Sequence, residues 1–343
     1  MMGYCVYFPA FLVAFAVTFV CTRILIKKLA KAGICGMDGH KLSGPMVPEM
    51  GGTAILIGYT LAITVGFAFG VYHGIPLDGT ALAACLGAFL IAGYVGAVDD
   101  IKKLHHRKKP VYLLAAALPL ILLQAGVAEV KLPFFTLDLT NIFGLNLAIL
   151  YWLIIIPLGI TGSGNLVNML AGFNGLMSGL AIISCLTMAL FAGWIGNPTA
   201  VLIFTAMVGA QLAFLHFNKY PARIFPGDVG TLSFGAMYTA GIVIGNMEVV
   251  GLLAFLVYFG NASISLLSVG RFFEEKQFRK EKMSALVLGQ DGTIMFNRLE
   301  KPITLCKTLL YNRPQTEATL VFKVLLLSII SSLIALTSIW WYT

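Results

Sequence analysis

Charged residues are scarce in this chain. They make up 11% of the 343 residues, whereas hydrophobic residues make up 59%. A soluble domain usually carries about 25% charged residues. The apolar residues also form long blocks: residues 55–98, for example, contain one charged side chain, Asp78. Because a helix needs roughly 20 apolar residues to cross a bilayer, these blocks predict membrane spans and exclude a soluble protein.

Patterns typical of secreted proteins are missing. None of the six cysteines is spaced as Cys-x-x-Cys, which argues against a disulfide framework and a zinc site. The first apolar block has no basic segment before it, and its basic residues follow it. We therefore expect this block to be a membrane span and not a cleaved signal peptide.

The apolar blocks predict about ten transmembrane helices within a single domain, residues 1–343. The expected spans are residues 4–26, 51–72, 80–98, 111–127, 145–162, 175–195, 199–217, 229–246, 249–269 and 321–341.

The basic residues lie on one side of this map. Ten alternating spans place 22 of the 23 Lys and Arg on the same face, and only Lys131 on the other. The positive-inside rule makes the basic face cytoplasmic and puts both termini outside. Such a surface would attract anionic lipid or an anionic substrate, and we expect no nucleic-acid partner.

Two loops have strand patterns. Residues 127–139 alternate and predict a short hairpin on the outer side. Residues 286–296, LVLGQDGTIMF, predict a hairpin within the cytoplasmic loop 270–320, because Asp-Gly favours a tight turn. The expected fold is thus an all-α polytopic membrane protein with a small cytoplasmic β-hairpin before the last helix.

Asp99 and Asp100 follow a predicted span and precede the basic run IKKLHHRKKP. A solvated helix end would explain them, but charges at a membrane boundary are also typical of functional sites. Neighbouring helical residues point about 100° apart, so two functional acids here would have separate roles. Lys109 could face an anion.

The uncharged segment TGSGNLVNMLAGFNG, residues 161–175, carries Asn165, Asn168 and Asn174, with Gly172 allowing close backbone approach. Helix capping is the simpler explanation. Three asparagines at this spacing slightly favour a site, since amide oxygens suit Mg²⁺ and amide groups can bind a base edge.

Two further acids lie at the starts of predicted spans on the same face. Asp228 lies in the loop FNKYPARIFPGD, whose prolines and glycines predict a tight turn, and Glu49 lies in VPEMGG. Either acid could simply cap a helix. Together with the amides and lysines, however, they form a set suited to Mg²⁺-assisted phosphoryl transfer, which mainly needs positioning and charge neutralisation.

Four motifs in this order resemble the polyprenyl-phosphate N-acetylhexosamine-1-phosphate transferases over essentially the whole chain. They are PEMGG (48–52), VDDIKKLHHRKK (98–109), NLVNMLAGFNGL (165–176) and FNKYPARIFPGD (217–228). The resemblance implies transfer of an amino-sugar 1-phosphate from a UDP-sugar to a polyprenyl phosphate in the bilayer. It also implies release of UMP and a requirement for Mg²⁺, with Mn²⁺ as the alternative ion.

The resemblance also implies roles for individual residues. Asp228 and Asn168 would bind the metal, Asp99 and Asp100 would be catalytic acids, and Lys109 would hold a phosphate. Asn174 would contact uracil, on which Phe225 would stack, and Glu49, Asn165 and Gly172 would support the substrate site. The resemblance leaves open whether the lipid phosphate attacks directly or a covalent aspartyl intermediate forms.

The last cytoplasmic loop favours one branch of this family. It lacks the histidines of the bacterial peptidoglycan branch, and its hairpin resembles the dolichyl-phosphate GlcNAc-1-phosphate transferases of archaea and eukaryotes. Lys280 and Lys282 stand where that branch has arginines, and the resemblance implies that they bind the substrate at its pyrophosphate or N-acetyl group, although lysine lacks the bidentate fork. The implied reaction uses UDP-GlcNAc and dolichyl phosphate in lipid-linked oligosaccharide synthesis for N-glycosylation, at the cell membrane in an archaeon. A homodimer is compatible with the resemblance.

Two alternatives remain at this point. The chain could be a related transferase for another UDP-sugar or a peptidoglycan precursor. It could also be a transporter of an anionic or lipid-linked substrate, although its polar residues gather at one face and not at mid-span.

Overall fold

The computed structural model of the protein describes residues 7–105, 108–132, 134–142, 144–269, 286–296 and 303–341. Lys280 and Lys282 lie outside the described residues, so their expected role stays a prediction.

Helices dominate the described chain. They are, in order, α1 (Tyr7–Lys31), α2 (Gly52–Tyr72), α3 (Gly79–Lys102), α4 (Lys109–Leu113), α5 (Leu118–Leu123), α6 (Ala148–Leu150), α7 (Ile156–Leu170), α8 (Leu176–Trp194), α9 (Pro198–Asn218), α10 (Gly227–Gly245), α11 (Glu248–Ala254), α12 (Leu256–Val269), α13 (Leu305–Leu310) and α14 (Glu317–Thr337). A 3₁₀ turn, Leu114–Ala117, joins α4 to α5, a π turn, Tyr151–Ile155, joins α6 to α7, and a 3₁₀ turn, Ser338–Trp341, follows α14.

Within the described residues, seven helices are long and apolar enough to cross a membrane, which confirms the polytopic class. An eighth span results if α11 and α12, which meet at 68°, cross together. The expected number of ten is not confirmed. Lys109–Leu123 is a shorter apolar helix, and the glycine-rich α10 is less apolar than the seven.

The strands form three small antiparallel sheets. They are β1 (Cys35–Met37) with β2 (Met46–Pro48), β3 (Glu129–Leu132) with β4 (Phe135–Asp138), and β5 (Leu286–Leu288), β6 (Thr293–Phe296) and β7 (Gln315–Thr316) in that order. Both hairpins expected from the sequence are present, with β7 added to the second. The β1–β2 hairpin was not expected, and it contributes to the site described below.

Helix α10 is at the centre of the bundle, with nearly every residue buried. It packs on α3, α7 and α2. Glycines allow these contacts: at Gly235 the backbone of α10 lies against that of α7, and a Cβ there would be 2.6 Å from the carbonyl carbon of Ser163. Close approach through small residues is common in membrane bundles. The Ser163 hydroxyl also donates to the Gly235 carbonyl over 2.8 Å.

We expect Gly235→Ala to destabilise the protein by about 1–3 kcal/mol, because the added methyl group overpacks the α7–α10 contact. Gly162→Ala is the matched control, since a Cβ at Gly162 meets nothing within 4 Å and alanine favours the helix. Thermal unfolding in detergent measures the difference. Equal melting temperatures for the two variants would contradict the close α7–α10 packing.

Candidate active site

A buried lysine joins two aspartates from the ends of different helices. The Nζ of Lys109 lies 2.8 Å from Oδ2 of Asp228, at the start of α10, and 3.1 Å from Oδ2 of Asp99, near the end of α3. All three are buried, with Lys109 only 1% exposed. Opposite charges interact more strongly away from water. The cluster therefore brings together three residues from two separate sequence motifs, 98–109 and 217–228.

Asp100 has a different partner from its neighbour Asp99. Its Oδ1 accepts from the Asp228 N–H over 2.9 Å, and its Oδ2 accepts from the Val229 N–H over 3.1 Å. Both N–H groups lie in the first turn of α10, where they have no acceptor within the helix and a carboxylate is stabilising. The two acids thus point to separate partners, as helical geometry predicted, and Asp100 fixes the backbone of Asp228.

Asn168 of α7 completes the surroundings of Asp228. Its Nδ2 donates to Oδ1 of Asp228 over 3.2 Å. A carboxylate and an amide carbonyl are hard oxygen donors, and Mg²⁺ takes few protein ligands so that water and phosphate oxygens complete its shell. Turning the amide by half a rotation would face its oxygen toward a shared cation. The donor chemistry of this pair therefore fits Mg²⁺.

A cavity of about 350 Å³ opens beside Asp228. Small-molecule sites usually range from about 300 to 1,000 Å³. Six residues expected at the site line this cavity: Glu49, Asn168, Gly172, Asn174, Phe225 and Asp228.

Four other predicted residues that the structure describes do not line it. Lys109 and Asp100 contact Asp228, and Asp99 contacts Lys109, so these three lie beside the cavity lining. The Asn165 amide donates to the Thr161 carbonyl of its own helix over 2.7 Å. Its expected supporting role stays a prediction.

Two of the sequence motifs meet through their backbones at the cavity wall. The Phe225 N–H donates to the Pro48 carbonyl, and the Gly51 N–H donates to the Phe225 carbonyl, both over 2.8 Å. This pairing brings Glu49 and Phe225 to the same wall. The Nζ of Lys103 lies 3.9 Å from Oε2 of Glu49 and adds a positive charge to the cavity lining.

The far end of the cavity holds residues that the sequence interpretation missed. Asn174 donates through Nδ2 to Oδ2 of Asp38 over 3.0 Å and to Oε2 of Glu317 over 3.1 Å. Its backbone N–H donates to Oε1 of Glu317 over 2.6 Å. The His40 ring stacks on Phe173 with centroids 4.3 Å apart. The only sequence signals were an Asp-Gly pair in the β1–β2 loop and an acid at the start of the last span.

Asp38 is held in its ionised form. Burial raises the pKa of Asp38, but hydrogen bonds from Lys41 and Asn174 outweigh that effect and bring it below the usual value. The ligand atoms of Asp38, His40 and Glu317 lie within 4.8 Å of one another, close enough for a metal ion. Asn174 and Lys41 already occupy the two carboxylates, however, so the cluster is a hydrogen-bond network around an amide.

The chain is similar in sequence to known proteins. The sequence pattern of glycosyl transferase family 4 matches residues 82–246, which include the Lys109 cluster, Asn168 and Asn174.

A Sulfolobus acidocaldarius protein is 31% identical over 250 residues, covering 72% of this chain and 72% of the relative. It is provisionally named UDP-N-acetylglucosamine–dolichyl-phosphate N-acetylglucosaminephosphotransferase. A provisionally named glycosyltransferase of Methanocaldococcus jannaschii is 31% identical over 90% of this chain and 89% of its own length. A phospho-N-acetylmuramoyl-pentapeptide-transferase of Streptococcus equi is 31% identical over 76% of this chain and 79% of its own.

We expect Lys109→Met to destabilise the protein by about 3 kcal/mol, because it leaves two buried carboxylates facing each other without their cation. Added Mg²⁺ should restore part of the loss, since a divalent ion at Asp228 would replace the missing charge. Thermal unfolding with and without Mg²⁺ measures both effects. Lys108→Met, at the exposed neighbouring position, should change neither. A Lys109→Met variant as stable as the original protein would show that the cluster needs no cation.

Proposed function

The chain belongs to glycosyl transferase family 4, and on that premise we propose that it transfers N-acetylglucosamine 1-phosphate from UDP-GlcNAc to a polyprenyl phosphate of the dolichyl type. The products are GlcNAc-diphospho-polyprenol and UMP. The main observation is that Asp228 and Asn168 line one cavity and contact each other, while the buried Lys109 binds Asp228. The name of the Sulfolobus acidocaldarius relative supports the same donor and acceptor.

We propose that Asp228 and Asn168 hold Mg²⁺, which when bound would offset the negative charge of the donor pyrophosphate. Lys109 adds a fixed positive charge beside Asp228, and its expected contact with a phosphate stays a prediction. Asp100 is a positioning residue, since both of its oxygens bind the backbone that carries Asp228. Phosphoryl transfer depends mainly on such positioning and charge neutralisation.

In the proposed reaction an oxygen of the lipid phosphate attacks the β-phosphorus of UDP-GlcNAc. A new P–O bond forms there, the bond to the bridging oxygen breaks, and UMP leaves with that oxygen. The lipid phosphate is already anionic near neutral pH, so no strong base is required. A covalent route through Asp99 receives less support, because its carboxylate binds Lys109 and the Leu104 N–H and does not line the cavity.

The other end of the cavity would bind the nucleoside. Phe225 lines the cavity and offers a ring on which uracil can stack. Asn174 also lines the cavity and would contact the edge of the base. Glu49 and the neighbouring Lys103 would contact the part of the substrate that lies between the metal and the uracil.

The acceptor is a membrane lipid, and the long apolar helices provide its surroundings. We propose that the site faces the cytoplasm, because the basic loops gather on that side in the sequence. The lipid-linked sugar would enter oligosaccharide synthesis for N-glycosylation.

A peptidoglycan-type donor is the second candidate, because streptococcal phospho-N-acetylmuramoyl-pentapeptide-transferases are also similar to this chain. The sequence of the last large loop, residues 270–320, contains no histidine, which sets it apart from that branch.

We expect lipid-dependent release of UMP from UDP-GlcNAc by the purified protein in detergent. Asp228→Asn should lower the rate at least about 100-fold, because it removes the charged ligand of the metal. EDTA should abolish release, and added Mg²⁺ should restore it. Asp138→Asn, at an exposed position in β4, is the matched control and should keep full activity.

The donor is tested separately with a panel of UDP-sugars that includes UDP-N-acetylmuramoyl-pentapeptide. UDP-GlcNAc should give the highest kcat/KM. Release from the pentapeptide donor alone would support the second candidate. No release from any UDP-sugar by folded protein would refute the transferase proposal.

A further inference from the structure

We propose that Asp38 and Glu317 are positioning residues that fix the orientation of the Asn174 amide, so that the site selects uracil over cytosine. The inference rests on the proposed function, because it takes the nucleotide donor as the ligand of the cavity. It concerns two residues outside the segment that matches the family pattern, residues 82–246.

The hydrogen bonds at Asn174 determine which of its atoms can meet a ligand. A side-chain amide has two N–H donors and one carbonyl acceptor. Both donors are used, one by Oδ2 of Asp38 at 3.0 Å and the other by Oε2 of Glu317 at 3.1 Å. The carbonyl oxygen is therefore the one polar atom of this side chain that the two carboxylates leave for the cavity.

The amide cannot easily turn over. The reversed orientation would place its carbonyl oxygen against carboxylate oxygens and lose hydrogen bonds to charged acceptors, which are the stronger kind. Asp38 and Glu317 are each only 2% exposed, so water cannot readily replace the lost partners. Glu317 also accepts from the Asn174 backbone N–H over 2.6 Å, which holds the carboxylate in place.

A fixed acceptor at this point distinguishes pyrimidines. Uracil carries an N3–H donor on its pairing edge, whereas cytosine has an unprotonated N3 there. An amide oxygen facing N3 would accept a hydrogen bond from uracil and meet a lone pair of cytosine. A site built for a hydrogen bond rejects ligands that lack the matching group, because its own polar atom is then left unpaired.

The first test uses the unmodified protein and three product analogues. UMP, CMP and 3-methyl-UMP are compared as inhibitors of UMP release measured with labelled UDP-GlcNAc. We expect CMP and 3-methyl-UMP to inhibit about tenfold more weakly than UMP, since each lacks the N3–H donor. CMP is no larger than UMP, so its weaker inhibition cannot result from a steric clash. Equal inhibition by UMP and CMP would overturn the inference.

The second test uses the double variant Asp38→Asn/Glu317→Gln, which replaces the two carboxylates around Asn174 with amides. Because the new amides can donate hydrogen bonds, the Asn174 side chain can adopt the reversed orientation. We expect a KM for UDP-GlcNAc about tenfold higher, an unchanged kcat, and loss of the preference for UMP over CMP. Asp138→Asn is again the control. A folded double variant that keeps the preference would overturn the inference.

Different results would refute the proposed function and the proposed roles of Asp38 and Glu317. No UMP release by the unmodified protein would refute the proposed function itself. Normal release without discrimination between UMP and CMP would refute only the roles of Asp38 and Glu317. Should the double variant not fold, the comparison of the three analogues still decides.

Discussion

The site depends on the burial of three charged side chains as one cluster of opposite charges. Lys109 lies within 3.1 Å of carboxylates from both α3 and α10, and none of the three is more than 7% exposed. A single buried charge would be very costly at this depth, whereas a compensated cluster is tolerated. The constraint acts on the backbone as well, because α3, α4 and α10 must meet at one point for the charges to pair. Other contacts of α10 hold it in this position. Its glycines allow close approach to the neighbouring helices, and Asp100 accepts hydrogen bonds from the first N–H groups of α10.

The cavity joins two kinds of chemistry. At one end, Asp228 and Asn168 offer hard oxygen atoms beside a fixed cation, which suits phosphate and metal. Elsewhere on the lining, Asn174 is held among carboxylates and Phe225 supplies an aromatic surface, which suits a planar base. A nucleoside diphosphate sugar is a ligand with the same division of properties. The proposed lipid acceptor would explain why such a cavity belongs to a membrane protein.

Much of this arrangement could be predicted from the sequence, because long apolar runs and dense polar motifs are local signals. The helical class, two of the hairpins and the separate partners of Asp99 and Asp100 are examples. The number of spans stays a prediction, since the glycine-rich central helix α10 was expected to be a span but is less apolar than the seven long helices. The network around Asn174 could not be predicted. Its partners are 136 and 143 residues away, and hydrogen bonds between distant loops leave no periodicity in a sequence.

The position of Glu317 has a consequence for the time at which the site becomes complete. It is the first residue of α14, the last long helix of the described chain, yet it contacts an asparagine that is synthesised 143 residues earlier. In a chain emerging from the ribosome, Glu317 therefore appears after every other residue of the two hydrogen-bond networks at the cavity. Until α14 is synthesised, Asn174 lacks one of the two acceptors of its amide. The network that fixes Asn174 is thus the last part of the site for which all residues are present.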